Sequence, residues 1–161
     1  KIIGGGLPIG AVGGRADIMD ALAPLGDVYQ AGTLSGNPVA VSAGLATINA
    51  LKRDNPYPCL AELGALLSSG LNAAGENAGI PFHCAIKGGV FTPFFRTEPV
   101  ECLADAKQCD TDAFGRFFHA MLDRGFYISP SQFEVGFIST ELTLSETEAF
   151  VAAASEALSA L

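Results

Sequence analysis

A lysine stands directly ahead of two isoleucines and three glycines in Lys1-Ile2-Ile3-Gly4-Gly5-Gly6, and further on Ala31-Gly32-Thr33-Leu34-Ser35-Gly36-Asn37-Pro38 leads a glycine-and-hydroxyl loop into a helix start. These two stretches restrict the fold more than composition does. Successive glycines lack a Cβ, so the main chain can approach a flat ligand closely and adopt positive φ without steric cost. A lysine held against such a backbone is drawn partly out of water. It then gives up its proton more readily and becomes a nucleophile toward carbonyls.

Asn37 suits an N-cap and Pro38 the first helical position, so a helix is predicted from Val39 to about Lys52. Its free amides and the positive end of its dipole, with the hydroxyls of Thr33 and Ser35 alongside, make a cradle for a phosphate or carboxylate. A capped helix after a glycine turn is ordinarily only a capped helix. The capping residues therefore leave the anion site open.

The strings KIIGGGLPIGAVGGR (Lys1–Arg15) and VYQAGTLSGNPVA (Val28–Ala40), followed in order by SPSQFEVGF (Ser129–Phe137), resemble the class III aminotransferase group of pyridoxal-phosphate enzymes. The resemblance implies the C-terminal part of a fold type I transferase, α/β and then α+β. Residues 1–53 would close the large cofactor-binding domain, and residues 54–161 would form the small C-terminal domain. It implies pyridoxal 5'-phosphate as cofactor, with Lys1 as its covalent anchor and Gly32 and Thr33 on its phosphate. In a homodimer, Thr33 would contact the cofactor of the neighbouring subunit. Glu134, matching a glutamate that faces the cofactor, is implied as a catalytic and substrate-binding residue, and Tyr29 as a second substrate contact. The ordinary alternatives are a solvated loop acid for Glu134 and a surface tyrosine for Tyr29.

The activity implied is an isomerase moving an amino group within one small amino aldehyde, with Lys1 also shuttling a proton. A transaminase of ω-amines would keep Lys1 and Thr33 but need a separate amino acceptor. The AGTLSGNP string favours the isomerase, since the transaminases more often place a Phe-Gly pair after the threonine. A non-catalytic dimerisation module is the third reading. Two stretches depart from the family pattern: Ser139–Leu144, where an alanine-histidine segment is common, and Val90–Pro93, where a more glycine-rich strand is usual.

The chain opens on lysine rather than methionine, and the resemblance places an acidic partner for the pyridine nitrogen upstream. It therefore reads as a fragment, inactive and without tight hold on the cofactor by itself. A net charge of -8 opposes a nucleic-acid partner. No apolar run reaches the roughly 18 residues of a membrane span. Cys59, Cys84, Cys102 and Cys109 contain no C-x-x-C pair and lie apart from His83 and His119, which is no zinc spacing. Reduced thiols fit a cytoplasmic location, or a plastid stroma.

Taken in order, Ile2-Ile3 and Ile9–Val12 are predicted as short buried strands or extended segments, Ala16–Ala23 as a helix stopped by Pro24, and Asp54–Pro58 as a boundary. Leu60, Leu63, Leu67 and Leu71 mark one buried helical stripe. Phe82–Ile86 and Val90–Phe95 form a hairpin across Gly88-Gly89, with Pro93 placing its strand at an edge or bulge. One helical turn is predicted at Leu103–Lys107. A helix that Asp110, Thr111 or Asp112 can cap follows, with Phe114, Phe117, Phe118, Met121 and Leu122 as its apolar face, and closes at Gly125. Phe126–Ser129 is a predicted strand, Val135–Thr140 another extended piece, and Ser145 with Glu148 a capping box for helix 147–160. The order implies helices on one face of a small sheet.

Overall fold

The computed structural model describes residues 2–161, which divide into two compact units, the first ending at Asn55 and the second spanning residues 56–161. Lys1 lies outside the described residues.

The first unit holds α1 (Ala16–Met19) and α2 (Pro38–Asp54). Neither Ile2-Ile3 nor Ile9–Val12 forms a strand among the described residues. Gly5 donates to Ile2 O at 3.0 Å and Leu7 to Gly4 O at 3.0 Å, and Gly5 and Gly6 take φ of 56° and 93°. Those glycines turn the chain back instead of extending it. α1 is four residues long, shorter than expected, and the chain then loops until Leu22 bridges Val28. α2 is capped as its sequence dictates. Asn37 Oδ1 accepts from the Ala40 amide at 2.9 Å, and Asn55 ends the helix at φ 41°. Its small residues serve close packing: a Cβ on Gly44 would come within 3.1 Å of Ile3 O and 3.4 Å of the Ile9 side chain.

The second unit holds α3 (Tyr57–Ala78), β1 (His83–Lys87), β2 (Val90–Phe94), α4 (Leu103–Ala106), α5 (Thr111–Asp123), β3 (Gly136–Phe137) and α6 (Leu144–Ser159). The antiparallel sheet runs β1-β2-β3. Leu63, Leu67 and Leu71 of α3, Phe114, Phe117 and Met121 of α5, and Ala154, Ala157 and Leu158 of α6 make one core. Each large apolar side chain buried there contributes roughly 1.5–3 kcal/mol. Phe82 meets Phe95 and Phe117 edge to face within it.

Strand alternation sends Cys84, Ile86, Phe91 and Phe95 to that core. Ala85 and Phe94 pack instead with Val100, Ala106 and Cys109. The sheet is thus covered on both faces, by helices on one and by the α4 segment on part of the other. The three long helices of this unit share one face, as element order implies, and the α4 segment adds partial cover to the other.

Pro93 lies in the middle strand, opposite Cys84. The Cys84 amide donates to Asn72 Oδ1 rather than to β2, so by antiparallel alternation Pro93 has its ring nitrogen on the side away from β1. On that side β3 pairs only with Val90 and Phe91. The proline is therefore at an edge locally.

Two further expectations are corrected. Phe126–Ser129 forms no strand: Phe126 and Ile128 pack on the core, but the Phe126 amide donates to Met121 O at 2.9 Å as part of the α5 exit. The α6 capping box is Thr143 with Glu146, not Ser145 with Glu148. Thr143 Oγ1 accepts from the Glu146 amide, and Glu146 Oε2 accepts from the Thr143 amide at 2.8 Å.

Candidate active site

The loop that enters α2 is built by its own residues. Ser35 donates to Gly32 O at 3.0 Å, Asn37 Nδ2 donates to Leu34 O at 2.9 Å, and Gly36 takes φ 70°. The Asn37 side chain therefore fastens the loop with one end and caps the helix with the other. A side chain at position 32 would bring its Cβ to 2.7 Å from Ser35 Oγ, so glycine keeps the space beside that hydroxyl clear.

Among the described residues, the amides of Thr33, Leu34, Gly36 and Val39 find no acceptor, and neither do the hydroxyls of Thr33 and Ser35. All six donors sit at the positive end of a 17-residue helix in a loop without a carboxylate. A concavity of about 270 Å³ lies between Pro8–Gly10 and this loop. Such a donor set suits a phosphate group. Tyr29 precedes the loop at 84% exposure and Thr33 is also exposed.

Glu134 belongs to the second unit. It is exposed, and its Oε2 accepts a hydrogen bond from Ser129 Oγ at 3.1 Å. The loop around it is a nest of short-range bonds. Ser131 donates its amide to Ser129 Oγ at 3.3 Å, Phe133 its amide to Ser131 Oγ at 3.2 Å, and Glu134 its amide to Ser131 O at 3.2 Å. Thr92 Oγ1 donates to Glu134 O at 3.5 Å, tying the loop to β2. Ser129 and Glu134 border an apolar cavity of about 400 Å³ whose walls include Phe91, Phe126, Phe137 and Phe150. The carboxylate thus stands as a polar group on an aromatic rim.

Gln132 is the residue that sequence reading missed. It is 2% exposed, donating Nε2 to Ala106 O at 3.1 Å, while its Oε1 finds no partner among the described residues. Its only signal in the sequence is its place within Ser-Pro-Ser-Gln, where the two serines are apt to bond the local backbone.

The family model described as aminotransferase class-III matches residues 1–159. A glutamate-1-semialdehyde 2,1-aminomutase of Heliobacterium modesticaldum is 50% identical over 157 residues, 98% of this chain and 36% of that relative. Two solved structures superpose with a TM-score of 0.80. An omega-transaminase from Sphaerobacter thermophilus is 33% identical, and a transaminase with PLP bound is 25% identical; each match covers 98% of this chain and 36% of the other. The chain thus spans little more than a third of the length of the proteins it matches.

Proposed function

We propose, from the premise that this chain belongs to the class-III aminotransferase family, that it is part of a glutamate-1-semialdehyde 2,1-aminomutase. That enzyme is an isomerase that converts glutamate-1-semialdehyde to 5-aminolevulinate for tetrapyrrole synthesis. The observation that carries this reading is the 50% identity, over nearly the whole chain, to a relative of that name.

Pyridoxal phosphate, when bound, supplies the electron sink and carries the amino group, and the protein decides which bond breaks and where protons go. The free loop amides and the hydroxyls of Thr33 and Ser35 fit the phosphate tail. In this reading Gly32 and Thr33 hold it for the neighbouring subunit of a homodimer. Val41, Leu45 and Ile48, at helical spacing and at least 36% exposed on α2, supply apolar surface for such an assembly.

Lys1 Nζ would hold the cofactor covalently, and as a free amine it would carry a proton to and from the substrate carbon. In this reading residues 1–53 belong to the cofactor domain and residues 54–161 to the small domain. Glu134, whose carboxylate accepts from Ser129 Oγ, acts as a catalytic and substrate-binding residue, and Tyr29 is a further substrate contact. Among the described residues no helix is long and apolar enough to cross a membrane. Four free thiols fit a cytoplasmic or stromal location.

The test is conversion of glutamate-1-semialdehyde by the complete polypeptide with no keto acid added. Turnover under those conditions supports internal transfer. A strict requirement for an acceptor supports the second reading, an ω-amine aminotransferase, which the 33% identity to the Sphaerobacter omega-transaminase favours.

A further inference from the structure

Within the loop that carries Glu134, one side chain is turned fully inward. Gln132 is 2% exposed while Phe133 and Glu134 on its C-terminal side are exposed. Its amide is half satisfied: Nε2 donates to Ala106 O at 3.1 Å, and Oε1 has no partner among the described residues. Packing alone does not call for an amide there. A methionine of similar volume would fill the space and remove the unmet Oε1, while the Ala106 carbonyl keeps the Cys109 amide at 3.3 Å, so the exchange leaves no buried group without a partner. What the amide adds is direction, because a hydrogen bond to a fixed carbonyl sets where the loop sits.

The carbonyl is well fixed. Ala106 is 8% exposed and packs with Phe94 and Cys109, and Arg96 Nη1 donates to Asp105 O beside it at 3.1 Å. From Gln132 the restraint passes along the loop. The Ser131 hydroxyl and carbonyl take the Phe133 and Glu134 amides, Thr92 holds Glu134 O, and Ser129 Oγ reaches the carboxylate itself.

We propose that Gln132 is a positioning residue, whose hydrogen bond to the Ala106 carbonyl holds the Ser129–Glu134 loop so that the Glu134 carboxylate stays aimed at the substrate. The inference rests on the reading of Glu134 as a site residue.

The experiment is a double-mutant cycle of Gln132→Met and Glu134→Gln in the complete polypeptide, read by turnover, thermal midpoint and amide hydrogen exchange across residues 129–135. Q132M is expected to keep its thermal midpoint and to exchange faster in that loop. Its kcat falls on the order of tenfold to a hundredfold, with little change in KM, as for a misplaced reacting group. In the E134Q background, Q132M causes no further loss. An equal fold-loss in both backgrounds would make Gln132 merely structural and overturn the proposal, as would unchanged exchange and turnover in Q132M beside an impaired E134Q. Full turnover by E134Q itself would instead remove the functional reading of Glu134, and the proposal with it. If Q132M does not fold, Gln132→Leu removes the N–H donor without burying a charge, and the same comparisons decide.

Discussion

Asn72 Oδ1 accepts the backbone amide of Cys84 at 2.8 Å, so a side chain of α3 takes the place of the strand that β1 lacks on its outer edge. Ser68 completes the arrangement by donating its hydroxyl to Cys84 O at 3.1 Å. Both polar groups of a buried strand residue are thereby met by one helix, so that position of the edge offers no unpaired group to another strand. Asn72→Leu leaves that amide without an acceptor and is expected to destabilise the second unit by about 1–3 kcal/mol. Denaturant unfolding of the variant beside the parent measures this, and an unchanged midpoint would contradict it.

The same enclosure quiets the thiol. Burial pushes the Cys84 thiol from the ordinary value near 9.0 up to about 12, against a small opposing effect of the Ser68 hydrogen bond. Iodoacetamide at mildly alkaline pH is expected to label exposed Cys59 and Cys102 first and to spare Cys84 until the protein unfolds. Because the folded thiol titrates above the unfolded one, its contribution to stability is intact below about 9.0 and is lost as pH rises toward 12. Cys84→Ala should flatten that alkaline decline.

Gly64 meets the hairpin turn. A Cβ there would collide with the carbonyl oxygen of Gly88, itself held at φ 57°. Backbone on both sides leaves nothing flexible to yield. Gly64→Ala is therefore expected to cost about 1–3 kcal/mol, despite the better helix propensity of alanine. Thermal unfolding checks it, and a stabilised variant would contradict the close approach.

How far such features can be read in advance depends on whether the signal is local. The leucines of α3, the Phe114–Phe117–Met121 face of α5, the hairpin glycines and the Asn37-Pro38 helix start all follow from spacing and cap chemistry, and all are found. Phe126–Ser129 has the alternation of a strand without its ladder, because hydrogen-bond partners are a property of the assembled unit. The choice of Thr143 over Ser145 as N-cap was open because both have a glutamate three residues on. Of the site, the loop before α2 was legible because glycines, hydroxyls and a cap are adjacent in sequence. Gln132 was not, since its partner Ala106 is distant along the chain and a glutamine is usually exposed.

The α6 capping box carries its own pH signature. Hydrogen bonds from the Thr143 amide, and then from its hydroxyl, hold the Glu146 carboxyl below its ordinary range. A depressed carboxyl stabilises the fold at pH above its unfolded value, and that contribution is lost as pH falls through the lowered one. Thr143→Ala is expected to cost about 1 kcal/mol near neutrality and less in acid, whereas Ser145→Ala should change little. Unfolding midpoints at two pH values separate the two residues.

The central claim is that the amine of Lys1 is the covalent anchor for pyridoxal phosphate, and it is tested most directly by Lys1→Ala in the complete polypeptide. Borohydride treatment of the parent should fix the cofactor to the peptide beginning Lys1-Ile2-Ile3. The variant is expected to show neither that adduct nor conversion of glutamate-1-semialdehyde. Full turnover in the variant, or an adduct mapped to another lysine, would contradict the account.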